Sequence, residues 1–287
     1  MKALVTGATG FIGSYLAEAL LRRGYEVTCI ARSTSDLKWI EHLDLKYISC
    51  DLADIDSCAG QIKDFDFIFH LAGLTKAKTE SEFFSANAVC TAKLAKIAAE
   101  RNVGLRRFVY VSSLAAAGPS SDGVPLKEDC EPMPVSFYGK SKLEGEKAVL
   151  RHCGEMPVTV IRPSAVYGPR DADFLVMFRM VKRGIFPYLS DEMVYTNGEI
   201  IKGISEALET KPIKIRLPLP LVPFFAFLGE KINKKSIINS DKVRELRFSN
   251  WTCDVGKARR ELGFGSKTTL TEGVKWTADW YKIHRWL

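Results

Sequence analysis

The stretch Lys2-Ala3-Leu4-Val5-Thr6-Gly7-Ala8-Thr9-Gly10-Phe11-Ile12-Gly13 decides the fold. Strand-type residues run straight into glycines at i, i+3 and i+6, and a helical pattern follows over 11–23. The first glycine permits a tight turn, the second lets a ligand approach the backbone, and the third lets the helix pack closely on the strand. The helix then opens with free N–H groups and the positive end of its dipole, which suits a pyrophosphate. Gly7, Gly10, Phe11, Ile12 and Gly13 are therefore expected to hold a dinucleotide.

Outward from that turn, apolar β-type runs alternate with helical patterns. The strand candidates are 26–30, 46–49, 66–71, 107–112 and 158–162 beside 2–6; the helices are 81–101 and 138–152 beside 11–23. This alternation predicts right-handed βαβ units and a parallel sheet covered on both faces. The later part is dominated by helical patterns at 173–183, 197–209, 221–233 and 270–283. The fold class expected is α/β: a Rossmann-type doubly wound parallel sheet over 1–169, with a smaller, mostly helical substrate cap over 170–287.

With 287 residues and 46% hydrophobic content, the chain can bury a real core. The net charge of +7 is spread along the chain without a dense basic run or a basic-aromatic stripe, so nucleic acid is not an expected partner. The apolar stretch from Leu217 to Gly229 is interrupted by prolines and is too short to span a bilayer; its Pro-rich start, Leu217 to Pro223, reads as a stiff entry into a packed helix, with a membrane-surface anchor as the alternative. None of the seven cysteines forms a C-x-x-C pair, so no metal or dithiol site is indicated. Their scattered placement suits a reducing compartment, and a cytoplasmic location is expected.

The residue at the end of the second strand discriminates between nicotinamide cofactors. A carboxylate there would accept hydrogen bonds from ribose hydroxyls, but the chain reads Cys29-Ile30-Ala31-Arg32-Ser33. Arg32 can face a 2′-phosphate, so NADP is expected ahead of NAD. For chemistry, Tyr138-Gly139-Lys140-Ser141-Lys142 places Tyr138 and Lys142 on one helix face. An ammonium beside a phenol lowers its pKa, and the tuned phenol can exchange a proton with an alcohol or carbonyl while hydride moves. Ser112 and Ser113 end the strand 107–112, where a donor to the substrate oxygen belongs.

Together, Gly7-x-x-Gly10-x-x-Gly13, Asp51-Leu52, His70-Leu71-Ala72, Asn87-x-x-x-Thr91, Val111-Ser112-Ser113, Tyr138-x-x-x-Lys142 and Arg162-Pro163-x-x-x-Tyr167-Gly168-Pro169 resemble an extended short-chain dehydrogenase/reductase of the NAD-dependent epimerase/dehydratase group. The resemblance covers nearly the whole chain. It implies that Asp51 and Leu52 contact the adenine, and that Leu71 and Ala72 line the ribose and diphosphate. Pro163 would sit against the nicotinamide. Tyr138 and Lys142 would also contact the cofactor, Lys142 through the nicotinamide ribose. Ser113, rather than Ser112, matches the family's catalytic hydroxyl, while Asn87 matches a structural asparagine. Arg170 is either a contact for an anionic substrate group or a surface residue. The resemblance also implies a homodimer through the helices 87–100 and 138–150, where Ala92, Ala95, Ala98 and Ala99 would permit close packing; the same alanines serve an internal face equally well.

Two departures narrow this reading. Dehydratases of the family follow the catalytic residue with an Asp-Glu pair, whereas Ser113 is followed by Leu114-Ala115-Ala116, which cannot do acid–base work. Oxidoreduction and epimerisation by transient oxidation need only Ser113, Tyr138 and Lys142. After Phe186-Pro187-Tyr188-Leu189 the family continues with a strand, a helix and another strand, but this chain passes directly to Ser190-Asp191-Glu192. A block of about 35–45 residues is therefore expected to be missing between 189 and 190. Outright loss would leave apolar surface and a strand edge open, so omission from the sequence is the preferred explanation. The substrate expected is a small molecule, either a nucleotide-sugar or a less polar, steroid- or flavonoid-like hydroxy compound. The Arg32-Ser33-x-Ser35 turn and the apolar segment Leu219–Leu228 favour the second. The rival from another class is a non-catalytic NAD(P)-binding sensor or scaffold on the same fold.

Overall fold

The structure, a computed structural model, describes all residues except 121–122, 189–196, 217–239 and 249. The expected helix at 221–233 and the junction between 189 and 190 lie outside the described residues.

A parallel sheet is built from β1 (Lys2–Thr6), β2 (Glu26–Ala31), β3 (Lys46–Ser49), β4 (Phe67–His70), β5 (Arg107–Val111) and β6 (Val158–Ile161), in the order β3-β2-β1-β4-β5-β6. The order reverses after β1, the switch point beyond which α/β sheets bind their ligands. Alternation along β1 explains the two cores. Ala3 and Val5 pack with Leu20 of α1 (Phe11–Arg22) and with Val27, whereas Leu4 faces the opposite core with Ile68, Phe108 and Tyr110. That second core is closed by a 3₁₀ segment (Leu52–Gln61), by α3 (Cys90–Arg101) and by α5 (Phe137–Leu150).

The helix expected at 81–101 is real but not uniform. It consists of α2 (Glu80–Phe84), a π-helical turn (Ser85–Val89) and α3. Thr79 caps it, accepting from Glu82 N at 3.2 Å. A four-residue helix, α4 (Leu114–Ala117), follows β5 and packs on α5. Ala95 and Ala98 serve the internal face, buried in the sheet core, while Ala92 and Ala99 are partly accessible.

The cysteine expectation needs correction. Cys50, just after β3, and Cys58, in the 3₁₀ segment, are joined by a disulfide. The segment folds back beneath the strand end, so a pair eight residues apart meets without C-x-x-C spacing.

The chain divides into two compact units, 1–117 with 137–163 and 118–136 with 164–287. The division thus falls after Pro163 rather than after 169. The loop 118–136 groups with the later part because Ser120 N and Leu126 N donate to Asn250 O and Thr252 O, and Ser136 Oγ donates to Glu245. Within the second unit, α6 (Leu175–Lys182), β7 (Ile185–Tyr188), α7 (Asn197–Leu208), β8 (Ile213–Arg216), α8 (Ser240–Leu246), α9 (Gly256–Leu262) and α10 (Leu270–Ile283) follow in order. Its core joins Leu175, Phe178, Ile201, Ile204, Val274 and Tyr281. The parallel pair β7–β8, unforeseen in the sequence, turns Phe186 into that core and leaves Ile185, Ile213 and Ile215 exposed. Among the described residues, no helix is long and apolar enough to cross a membrane, and no cluster of potential ligands could hold a metal ion.

Candidate active site

The turn after β1 has the geometry its sequence implies. Gly7 has φ +74°, and a Cβ there would lie 2.8 Å from Ala72 N. A Cβ on Gly13 would overlap Gly7 O, so the first turn of α1 lies directly against the loop. No side chain caps this helix, and its first turn holds no acidic residue. Gly7, Gly10, Phe11, Ile12 and Gly13 thus frame a cradle that fits a dinucleotide pyrophosphate. Leu71 and Ala72 border it, Leu71 N donating to Thr6 O and Ala72 N to Thr6 Oγ1, both at 3.2 Å.

Arg32 is exposed where β2 ends, its backbone held in a turn by Arg32 N to Ser35 Oγ at 3.1 Å. Asp51 caps the 3₁₀ segment, accepting from Ala53 N at 3.0 Å, and Leu52 packs on the core. Pro163 follows β6, and its carbonyl accepts from Leu114 N at 2.8 Å, tying it to the turn that carries Ser113. Arg170 lies in the second unit in the left-handed region, with φ 72°.

Tyr138 and Lys142 stand one turn apart on α5, and Phe83 packs against the Tyr138 ring with centroids 6.0 Å apart. Lys142 is buried. Its Nζ donates to Val111 O at 2.7 Å and lies 4.4 Å from the centre of the Tyr110 ring. Burial pulls its pKa down to about 7, against a smaller upward pull from Glu146. Ser113 is half-buried, and its Oγ accepts from Ala115 N at 3.1 Å, leaving the hydroxyl proton to donate elsewhere. Ser112 is more deeply buried, and its Oγ has no partner among the described residues.

Two supporting networks were not foreseen. His70 is fully buried, stacked on Tyr110 and bracketed by two threonines. Thr91 Oγ1 donates to Asn87 O at 2.7 Å, so it accepts from His70 Nε2 at 2.9 Å; Thr6 Oγ1 then donates to His70 Nδ1 at 2.7 Å. Burial, reinforced by the charge of Lys142, pushes the imidazole pKa down to about 3 and keeps it neutral. Asn87, in the π turn, accepts from Leu74 N and donates to Leu74 O and Ser141 Oγ, while Ser141 Oγ donates to Tyr138 O. Its side chain is fully engaged with protein. The second network is the ion pair of Glu146 with Arg162: Nε to Oε1 at 2.9 Å and Nη2 to Oε2 at 2.6 Å. The available signals were the i+4 spacing of Glu146 from Lys142 and the arginine before Pro163.

A nucleotide cradle at the switch point of a parallel sheet, with a Tyr-x-x-x-Lys helix beside it, defines the short-chain dehydrogenase/reductase class. Residues 3–199 match the model of the NAD dependent epimerase/dehydratase family, and the chain belongs to that family. It is 30% identical to ceramide reductase of Caulobacter vibrioides, in an alignment of 322 positions covering 99% of this chain and 95% of the relative. It is 32% identical to sterol demethylase protein B of Methylococcus capsulatus, covering 96% of this chain and 98% of that one. The crystal structure of UDP-glucose 4-epimerase from Thermotoga maritima superposes with a TM-score of 0.80, at 20% identity, covering 99% of this chain and 100% of that chain.

Proposed function

We propose that this protein is an NADP-dependent ketoreductase or alcohol dehydrogenase acting on an apolar hydroxy or keto compound. The observation that carries the reading is the buried Lys142, one helical turn after Tyr138 and bonded to the strand end that leads to Ser113. When bound, the nicotinamide supplies or accepts the hydride. Tyr138 passes its phenolic proton to the substrate oxygen, Ser113 donates a hydrogen bond to that oxygen, and the Lys142 ammonium lowers the phenol's pKa. The glycine turn, Asp51, Leu52, Leu71, Ala72 and Pro163 hold the cofactor. Arg32, exposed and without a carboxylate beside it on β2, supports a 2′-phosphate.

Two observations support an apolar substrate over a nucleotide-sugar. The helix after Ser113 is entirely apolar. Two relatives spanning nearly all of this chain carry names referring to ceramide and sterol. A homodimer completes the proposal, with the accessible side of α3, Ala92 and Ala99 among it, facing the partner.

The test is a panel of a sphingolipid ketone, a sterol ketone and UDP-glucose, followed by nicotinamide absorbance and, for epimerisation, by product analysis. Reduction of a lipid ketone with NADPH is expected. Tyr138→Phe should lower turnover by about 10²–10⁴-fold while still binding NADP more tightly than NAD. Turnover of UDP-glucose alone would refute the substrate class, and tighter NAD binding the cofactor choice. Absence of any turnover in the wild type would leave the sensor reading.

A further inference from the structure

We propose that Glu146, clamped by Arg162, is a positioning residue that keeps Lys142 in its ammonium form; this rests on the catalytic reading of Tyr138 and Lys142. The pair is bidentate, and Glu146 is only 2% exposed. Burying two charges costs desolvation that a well-packed apolar pair would avoid, so tethering β6 to α5 does not by itself explain their presence. What an apolar pair cannot provide is a negative charge beside Lys142.

Lys142 needs one. The Val111 carbonyl and the Tyr110 ring face that its Nζ meets carry no formal charge, and burial works against the ammonium. Each surrounding element presents a definite group. Tyr110 on β5 is neutral, its phenol pKa raised by burial above all and further by Glu146 and Tyr138. His70 on β4 is neutral, and Asn87 in the π turn cannot ionise. On α5 itself stand Tyr138 and, one turn beyond Lys142, Glu146. Arg162, at the end of β6, bonds to Glu146. The carboxylate therefore favours the ammonium and the guanidinium opposes it, while their bidentate bond fixes the carboxylate in place.

This opposition gives a signature that a merely structural pair lacks. In cofactor-free protein labelled with ε-¹³C-lysine, the Lys142 resonance (assigned with Lys142→Met) should titrate near pH 7. Glu146→Gln should lower that midpoint by about one pH unit and Arg162→Gln should raise it, while Glu146→Asp should restore it toward the wild-type value. In turnover, the alkaline limb of carbonyl reduction should move down in Glu146→Gln. A Lys142 midpoint unmoved in Glu146→Gln, or moved in the same direction by both glutamine variants, overturns the proposal. The NMR midpoints do not depend on turnover. A wild type inactive on every ketone would refute the catalytic reading, while opposite midpoint shifts would still establish the charge relation.

Discussion

At the scale of single residues, the site is a set of close approaches that tolerate little change. Gly13→Ala should weaken cofactor binding by at least about tenfold, because the added methyl meets the Gly7 carbonyl that shapes the cradle; a fluorescence titration measures this. Lys142 makes a pH-dependent contribution of definite sign. Its pKa is about 7 in the folded chain against an ordinary 10.5. Between those values the unfolded chain holds a proton that the folded one lacks, so this residue's contribution to stability rises with pH across that window. Lys142→Met should therefore be more stable than wild type by roughly 2–4 kcal/mol near pH 6, with the gap closing toward pH 10; denaturant melts across that range check it. Tyr138, Lys142 and the glycines were legible in the sequence because each motif lies within a single local element. Glu146 with Arg162, and His70 with Thr6 and Thr91, were not, because strands distant in sequence bring those partners together.

At the scale of elements, strongly periodic helices and buried strands matched the expected ranges within a few residues. The misses have physical causes. β7 and β8 are four residues each, too short to establish a period. The π turn leaves a helical pattern intact on either side of itself, so one long helix was expected where three segments occur. The last helix has a distinct start signal: Thr269 Oγ1 accepts from Glu272 N at 3.3 Å, and the Glu272 carboxylate accepts from Thr269 N at 2.9 Å. Thr269→Ala should destabilise the protein by about 1 kcal/mol, visible as a lower melting temperature, because α10 carries Val274, Ala278 and Tyr281 into the core of the second unit.

At the scale of the whole molecule, the nucleotide-binding half was legible and the second unit only in outline. Its course includes a loop, 118–136, that leaves the first unit and contacts residues more than a hundred positions later. Local patterns carry no trace of such returns. The junction at 189–190 belongs to this scale as well. The ceramide reductase alignment spans 322 positions against 287 residues here, so the relative carries sequence without a counterpart in this chain. In the described sheet, β6 pairs on one side only, and Ile185, Ile213 and Ile215 face outward from β7–β8. Mass spectrometry of the intact protein should exceed 32.0 kDa if the block exists; a mass equal to 32.0 kDa means a true deletion.

The π turn at Ser85–Val89 acts as an angular offset built into a helix. Successive helical residues advance about 100° around the axis, so one surplus residue rotates everything beyond it by about that angle. An uninterrupted helix would set Leu94 and Ile97 within about 40° of Phe83; the surplus residue turns them to another face, so Phe83 packs on Tyr138 while Leu94 and Ile97 enter the sheet core. Removing any one residue from the turn would straighten the helix into a more regular object while swinging Leu94 and Ile97 out of the core. Irregularity here is a phase setting: the helix meets both Tyr138 and the sheet because it is not a perfect helix.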